Sequence, residues 1–331
     1  MKKHGLLAVC VLFCAVFLLV QGAPAAPKVI KLGQVVAKGH IENRCAEKFK
    51  EIVEAKTGLK VEIYPGGQLG KYGELFQGVK MGAVQMSTMP TSFITPFYAP
   101  IGILDLPFLF QDYAHADRFF QGPAGEKFTA AFLKGTGIRV VGIFHSGFQG
   151  FYDSKRPIKN IDDIKGLKMR VMNSPVLVDS MNAYGAKAVA MSLTEFYTAM
   201  QQGVVDGGEN AIDTYESQKH YEVAKYYTIS NHKLLPEFLI MNEMFFKSLT
   251  PEEQKVVLEA GKEATKFARD HYGEQQAKAK EKATAGGAEW FELDPGAADA
   301  FRKSLEPVYE KYGKKIEGGA ETLKTIQELR Q

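Results

Sequence analysis

The chain of 331 residues has only three cysteines and one tryptophan, and it lacks both CxxC and HExxH. Cys10 and Cys14 fall in an apolar N-terminal run, so an exported form keeps Cys45 alone and has no internal disulfide. Stability must then come from an ordinary core, which a chain of about 300 residues can build. Cys45 shares a helical face with Phe49, Ile52 and Val53, the pattern of a small buried hydrophobe. His40, His115, His145, His220, His232 and His271 stand singly, so no metal-ligand spacing is present and no cofactor is implied. Long blocks of one charge are missing as well. Even the basic stretch KAKEKA at 278–283 is interrupted by an acid, which argues against nucleic acid as a partner.

Catalytic signatures are equally scarce. GGQLGKY at 66–72 lacks the spacing and terminal hydroxyl of a phosphate loop, so it reads as a turn. In FHSGFQG, Phe144 stands where a nucleophile elbow needs glycine before Ser146. Ser146 and His145 could serve a secreted α/β hydrolase only as a pair, yet adjacent strand residues point to opposite faces.

The first 25 residues carry the marks of an export leader: Lys2-Lys3, an apolar run from Leu6 to Val20, and an A-x-A site at Ala23–Ala25. The run is shorter than the roughly 20 residues of a membrane span, so cleavage near Ala25 and a periplasmic location are expected. Removing Lys2 and Lys3 takes two units from the formal net charge of +3, leaving a nearly neutral protein.

Beyond the leader, short β-like runs alternate with amphipathic helical stretches, the rhythm of an α/β fold. VIKLGQV, a helix near 42–56, LKVEIY, a helix near 74–81 and AVQMST form one series. IRVVGIF at 138–144 restarts it, followed by FQGFYDS, LKMRV, SPVLVDSMNAYG, KAVAM, TEFYTAMQQG and VVDGG. Two series predict two lobes. Thr250-Pro251-Glu252-Glu253 is a capping box with proline at the first helical position, and the helix it opens runs to about Ala285. Its first half has an apolar face and its second half is polar all round, as in a helix that bridges two bodies; the alternative is a break at Gly273.

In GLKMRVMNSP, a period-two strand runs into Ser174-Pro175, a helix start, and places Arg170 where the strand ends. Ligands of open α/β sheets sit beyond such ends, where helix N-termini favour anions. A guanidinium adds a planar fork that suits a carboxylate. A solvent-facing or snorkelling strand arginine remains the alternative. VVDGGEN repeats the geometry and ends on Asn210.

YPGGQLG (64–70), DDIKGLKMRV (162–171), YGAKAVAMSLTEFYTAMQQGVVDGGEN (184–210) and HYEVAKYY (220–227) keep an order and spacing across nearly the whole mature chain. In these blocks the sequence resembles the DctP-type solute-binding proteins of tripartite ATP-independent periplasmic (TRAP) transporters. The resemblance implies an α/β protein of two lobes with crossing hinge strands, a long helix spanning both, and a cleft that closes on a small carboxylate-bearing ligand. Lobe I would hold 26–147 and 236–275, and lobe II 148–235 and 276–331. The protein would act as a monomer without catalysis, delivering an organic acid to TRAP membrane subunits; a ligand-sensing module for a membrane receptor would share the same fold. Arg170 matches the family's carboxylate-binding arginine and Asn210 an asparagine of the same pocket. Leu193, His40, Tyr72 and Gln149 are the further candidates. Gln149 replaces a second arginine found in many members, which puts a second charge contact in doubt. Leu193 where sialic-acid binders carry phenylalanine, and Lys71-Tyr72 where acids are usual, disfavour sialic acid. With neutral Gln149 and aliphatic Leu193, monocarboxylates with an apolar or modestly polar far end are expected.

Overall fold

The computed structural model describes residues 28–330, so the expected leader at 1–25 lies outside the described residues. Ile30 and Leu32 are fully buried in strand β1 (Val29–Gly33), which pairs in parallel with β2 (Lys60–Tyr64) and β3 (Met86–Pro90). Parallel neighbours need crossovers, and helices Ile41–Lys56 and Tyr72–Met81 supply them. Cys45 lies in the core beneath the first helix with Phe49 and Val53, and burial pushes its thiol pKa up, as for an inert structural cysteine.

The runs at 138–144 and 148–154 look like separate strands in the sequence but form one, β4 (Ile138–Asp153). What resembles a break at Ser146-Gly147 is a bulge, where pairing shifts between His145 and Phe148. Gly147 has φ +88°, and a Cβ there would run into the Tyr272 ring. Only glycine lets the strand bend at this crossing.

The second series supplies β5 (Lys168–Val171), β6 (Lys187–Ala190) and β7 (Gly207–Asn210). Then comes β8 (Tyr226–Asn242), 17 residues long, and finally β9 (Glu289–Glu292). The strands form one sheet in the order β2-β1-β3-β8-β4-β7-β5-β6, with β9 against β8. β4 and β8 run antiparallel to each other and are about three times the usual strand length, so they pass through both lobes. One end of the pair joins β3 and the other joins β7.

The helix Pro251–Ala285 is unbroken at Gly273 and spans about 50 Å. Thr250 caps it as the sequence predicts, its hydroxyl accepting from Glu253 N and the Glu253 carboxylate accepting from Thr250 N. Val257, Ala260, Ala264 and Ala268 enter the core of the first lobe with Phe49 and Leu239, whereas Ala283 enters that of the second with Tyr152, Tyr215 and Tyr227. One helix thus binds both bodies. The C-terminal helices are shared too: Lys311 and Tyr312 bond Asp179, while His115 and Arg118 hold the carbonyls of Ile326 and Leu329. The C-terminal segment thus makes hydrogen bonds to elements of both series.

Candidate functional site

Arg170 leaves the end of β5 with no exposed surface. Its Nε and Nη2 both donate to the Met191 carbonyl, at 3.1 and 3.0 Å, and its guanidinium lies over the Phe196 ring at 5.0 Å. Those contacts hold the fork in place. Nη1 is buried and makes no hydrogen bond among the described residues. Burial lowers the guanidinium pKa, opposed by Tyr152, Glu209 and Tyr72, but an arginine stays charged. A buried cation with one free N–H edge is prepared for an anionic acceptor.

Asn210 closes the neighbouring strand. Gly208 makes the approach possible, since a Cβ there would strike Phe196 and the Arg170 carbonyl. The Asn210 amide donates to Tyr152 Oη at 2.7 Å, and Tyr152 donates to His220 Nδ1 at 2.8 Å. Burial, then the charge of Arg170, bring the His220 pKa down to about 3, so the imidazole is neutral and can accept that proton.

Arg170 and Asn210 face a cavity of about 20 Å³ between the lobes, whose lining includes Tyr72, Leu193, Met172 and Thr214. That space holds about one water, so an organic acid enters only if the lobes part. Several helices begin around it, at Ile41, Tyr72, Leu193 and Ile212. Tyr72 stacks on Phe93 at 4.3 Å and donates to Glu42 at 3.3 Å. Leu193 is buried yet belongs to none of the three core clusters, and it also borders the outer mouth of the cleft beside Lys71 and Asn173.

His40 stands one layer back. Its Nδ1 accepts from Glu42 N, which puts the proton on Nε2, facing Thr214 Oγ1 at 3.2 Å and Asp213 Oδ2 at 3.3 Å. Asp213, in the first turn of the Ile212–Ser217 helix, is fully buried, and it also accepts from Ile41 N and from Gln275 across the lobes. Gln149 is buried beside the crossing, is not among the residues lining the cavity, and neither of its amide atoms finds a partner. The Pro175 helix also differs from expectation: Ser174 makes no side-chain cap but donates to Asp105 at 2.6 Å, so the chain's own carboxylate lies at that helix start.

Sequence reasoning missed two acids. Glu42 accepts from Thr88 at 2.8 Å, and Glu237 accepts from Ser146 at 2.7 Å; both line the cavity. Glu237 Oε2 is buried without a partner. Burial raises both carboxyl pKas; the Glu42 charge raises that of Glu237 further, while His40 opposes the rise of Glu42. The signal for Glu237 was available: a lone acid inside the apolar run LLPEFLIM. Glu42 lies in the first turn of its helix, where the helix dipole favours an acid whatever else it does.

Two α/β lobes, strands that cross between them and a buried arginine at their shared cleft define a receptor for a small ligand. The chain belongs to the bacterial extracellular solute-binding proteins of family 7, the DctP family, which matches residues 32–315. It is 35% identical to the C4-dicarboxylate-binding periplasmic protein DctP of Rhodobacter capsulatus over 92% of each chain. A TRAP periplasmic solute-binding protein of Sulfitobacter sp. NAS-14.1 with bound β-D-galacturonate superposes with a TM-score of 0.87 at 31% identity, covering 91% of this chain and 100% of that one. The sugar acid binding protein DctPAm of Advenella mimigardefordensis in complex with galactonate gives 0.88 at 28% identity, covering 92% and 97%.

Proposed function

We propose that this protein captures a small organic acid outside the cytoplasm by its carboxylate, and delivers it to the membrane subunits of a TRAP transporter. One observation carries the reading: Arg170 is wholly buried at the interlobe cavity, pinned by Met191 and Phe196, with Nη1 free of any partner among the described residues. A carboxylate oxygen meets that need, and Asn210 beside it offers a neutral polar contact. Tyr72 and Leu193 line the remainder, and His40 supports the wall through Thr214. The ligands named for the relatives, C4-dicarboxylates, galacturonate and galactonate, have only the carboxylate in common. The receptor works as a single copy that binds and releases without catalysis. Ser146 donates to Glu237, and His145 faces Asp117 at 3.5 Å, so each has a structural partner of its own.

Calorimetry with a panel of carboxylic acids tests this. Removing one side of a buried charge pair costs about 2–5 kcal/mol, so Arg170→Ala should weaken binding by about 30-fold to several thousand-fold. Arg170→Lys should recover only part. Unchanged affinity in a folded Arg170→Ala protein would remove the arginine from the site.

A further inference from the structure

The cavity lining carries three charged side chains, Arg170, Glu42 and Glu237, so two acids oppose one guanidinium. Two of their polar edges have no partner among the described residues: Arg170 Nη1 and Glu237 Oε2. A buried polar atom left unpaired is costly, so the ligand that binds best satisfies both. It must present an acceptor to the arginine and a hydrogen-bonding group to the acid.

We propose that Glu237, with Glu42 beside it, reads hydroxyl groups at the far end of the ligand and selects polyhydroxy monocarboxylates over dicarboxylates. This rests on the reading that Arg170 takes the carboxylate. A hydroxyl both donates and accepts, so it can pair with Glu237 whether or not that carboxyl holds its proton. A second carboxylate can pair with it only while one of the two carboxyls holds a proton, and otherwise adds a further negative charge to a closed, water-poor space that already holds two acids. Ser146 occupies Glu237 Oε1, and Thr88 with Tyr72 engages Glu42, so both acids are held in position before a ligand arrives. The expectation of an apolar or modestly polar far end, drawn from Leu193 and Gln149, narrows to a hydroxylated one because Gln149 lies outside the lining and two acids lie within it. The relatives divide between these two ligand chemistries, and the acid pair decides between them for this chain.

The test measures calorimetric affinities of the intact mature protein for D-galacturonate, D-galactonate, D-erythronate, succinate and L-malate. At least one sugar acid should bind more tightly than either diacid, by about 10- to 100-fold, the range expected for one charge-assisted hydrogen bond. Glu237→Gln should erode that ratio by about tenfold or more, and Glu42→Gln should do so less, each variant being checked for folding by circular dichroism. The wild-type ranking needs no variant at all. A diacid that binds the wild-type protein as tightly as the best sugar acid overturns the inference, as does a Glu237→Gln protein that folds and keeps the ratio. Arg170→Ala separates the two levels: if the folded variant leaves every affinity unchanged, the carboxylate reading fails and this inference with it. If it weakens all acids while diacids still rank first, only the inference fails.

Discussion

His40 and Asp213 meet at 3.3 Å with both side chains buried, one from the β1–β3 lobe and the other from the lobe of β5–β7. Asp213 also accepts from Ile41 N at 3.1 Å and from Gln275 of the shared helix, so one carboxylate gathers three segments. These bonds exist only when the lobes are together. Opening must break them, and a ligand gripped from both sides favours the closed population. The exposed Lys71–Glu195 pair spans the cleft too, but a solvated pair is worth little. Small-angle scattering should show the radius of gyration falling when ligand saturates the wild-type protein. Asp213→Ala should leave the unliganded form more open and weaken binding about tenfold or more, whereas Lys71→Ala should change little. A radius that does not respond to saturating ligand would mean a rigid cleft.

Leu193 opens its helix while facing both the inner cavity and the cleft mouth. Leu193→Phe should reorder affinities among several acids and leave the unliganded stability nearly intact. Were Leu193 core instead, packed beneath Tyr197, overpacking would cost about 1–3 kcal/mol and the ranking would hold. Urea denaturation beside the binding panel separates these outcomes.

Gln149 has a buried amide with neither atom paired, across from Lys233 in the crossing strands. An unpaired buried amide is costly, and an apolar side chain of similar length removes that cost. Gln149→Met should therefore raise stability by about 1–2 kcal/mol and leave the order of ligand affinities alone. Altered ranking would return Gln149 to the ligand site.

Stability in acid follows from groups of opposite sign. The folded pKa of His220, about 3, lies below the ordinary 6.5, so its contribution is present above pH 6.5 and is lost as pH falls toward 3. Burial alone would raise the Glu209 carboxyl, but Lys233 and then His232 bring it to about 2, so its contribution is lost as pH drops from 4.5 toward 2. Glu42 and Glu237 act the other way: their folded pKas are raised, so their contribution is full below 4.5 and is lost as pH rises through the folded values. Urea midpoints against pH should show His220→Gln flattening the loss between pH 6.5 and 3, and Glu237→Gln improving stability on the neutral side. A His220→Gln curve parallel to wild type would contradict the first assignment.

Hydrophobic period and terminal signals in the sequence determine the first-lobe strands, the Ile41–Lys56 helix with Cys45 inside, and the helix opened by the Thr250 capping box. These are local: side-chain alternation and capping act over a few residues, so neighbours in the chain carry the information. The positions of Arg170 and Asn210 were legible for the same reason, each standing where a short strand stops before a helix, while their assignment to a ligand came from the family resemblance. The continuity of β4 was not, because a bulge at Gly147 imitates a turn until β8 is seen pairing on both sides of it. Nor could the sequence show that Glu42 and Glu237 share a cavity with Arg170, that Asp213 is buried against His40, or that Gln149 stays in the hinge. Those residues lie far apart in the chain, and a charged side chain in an apolar run reveals a burial problem without revealing its partner. Only the packing of the two lobes around the crossing strands brings the partners within hydrogen-bond reach.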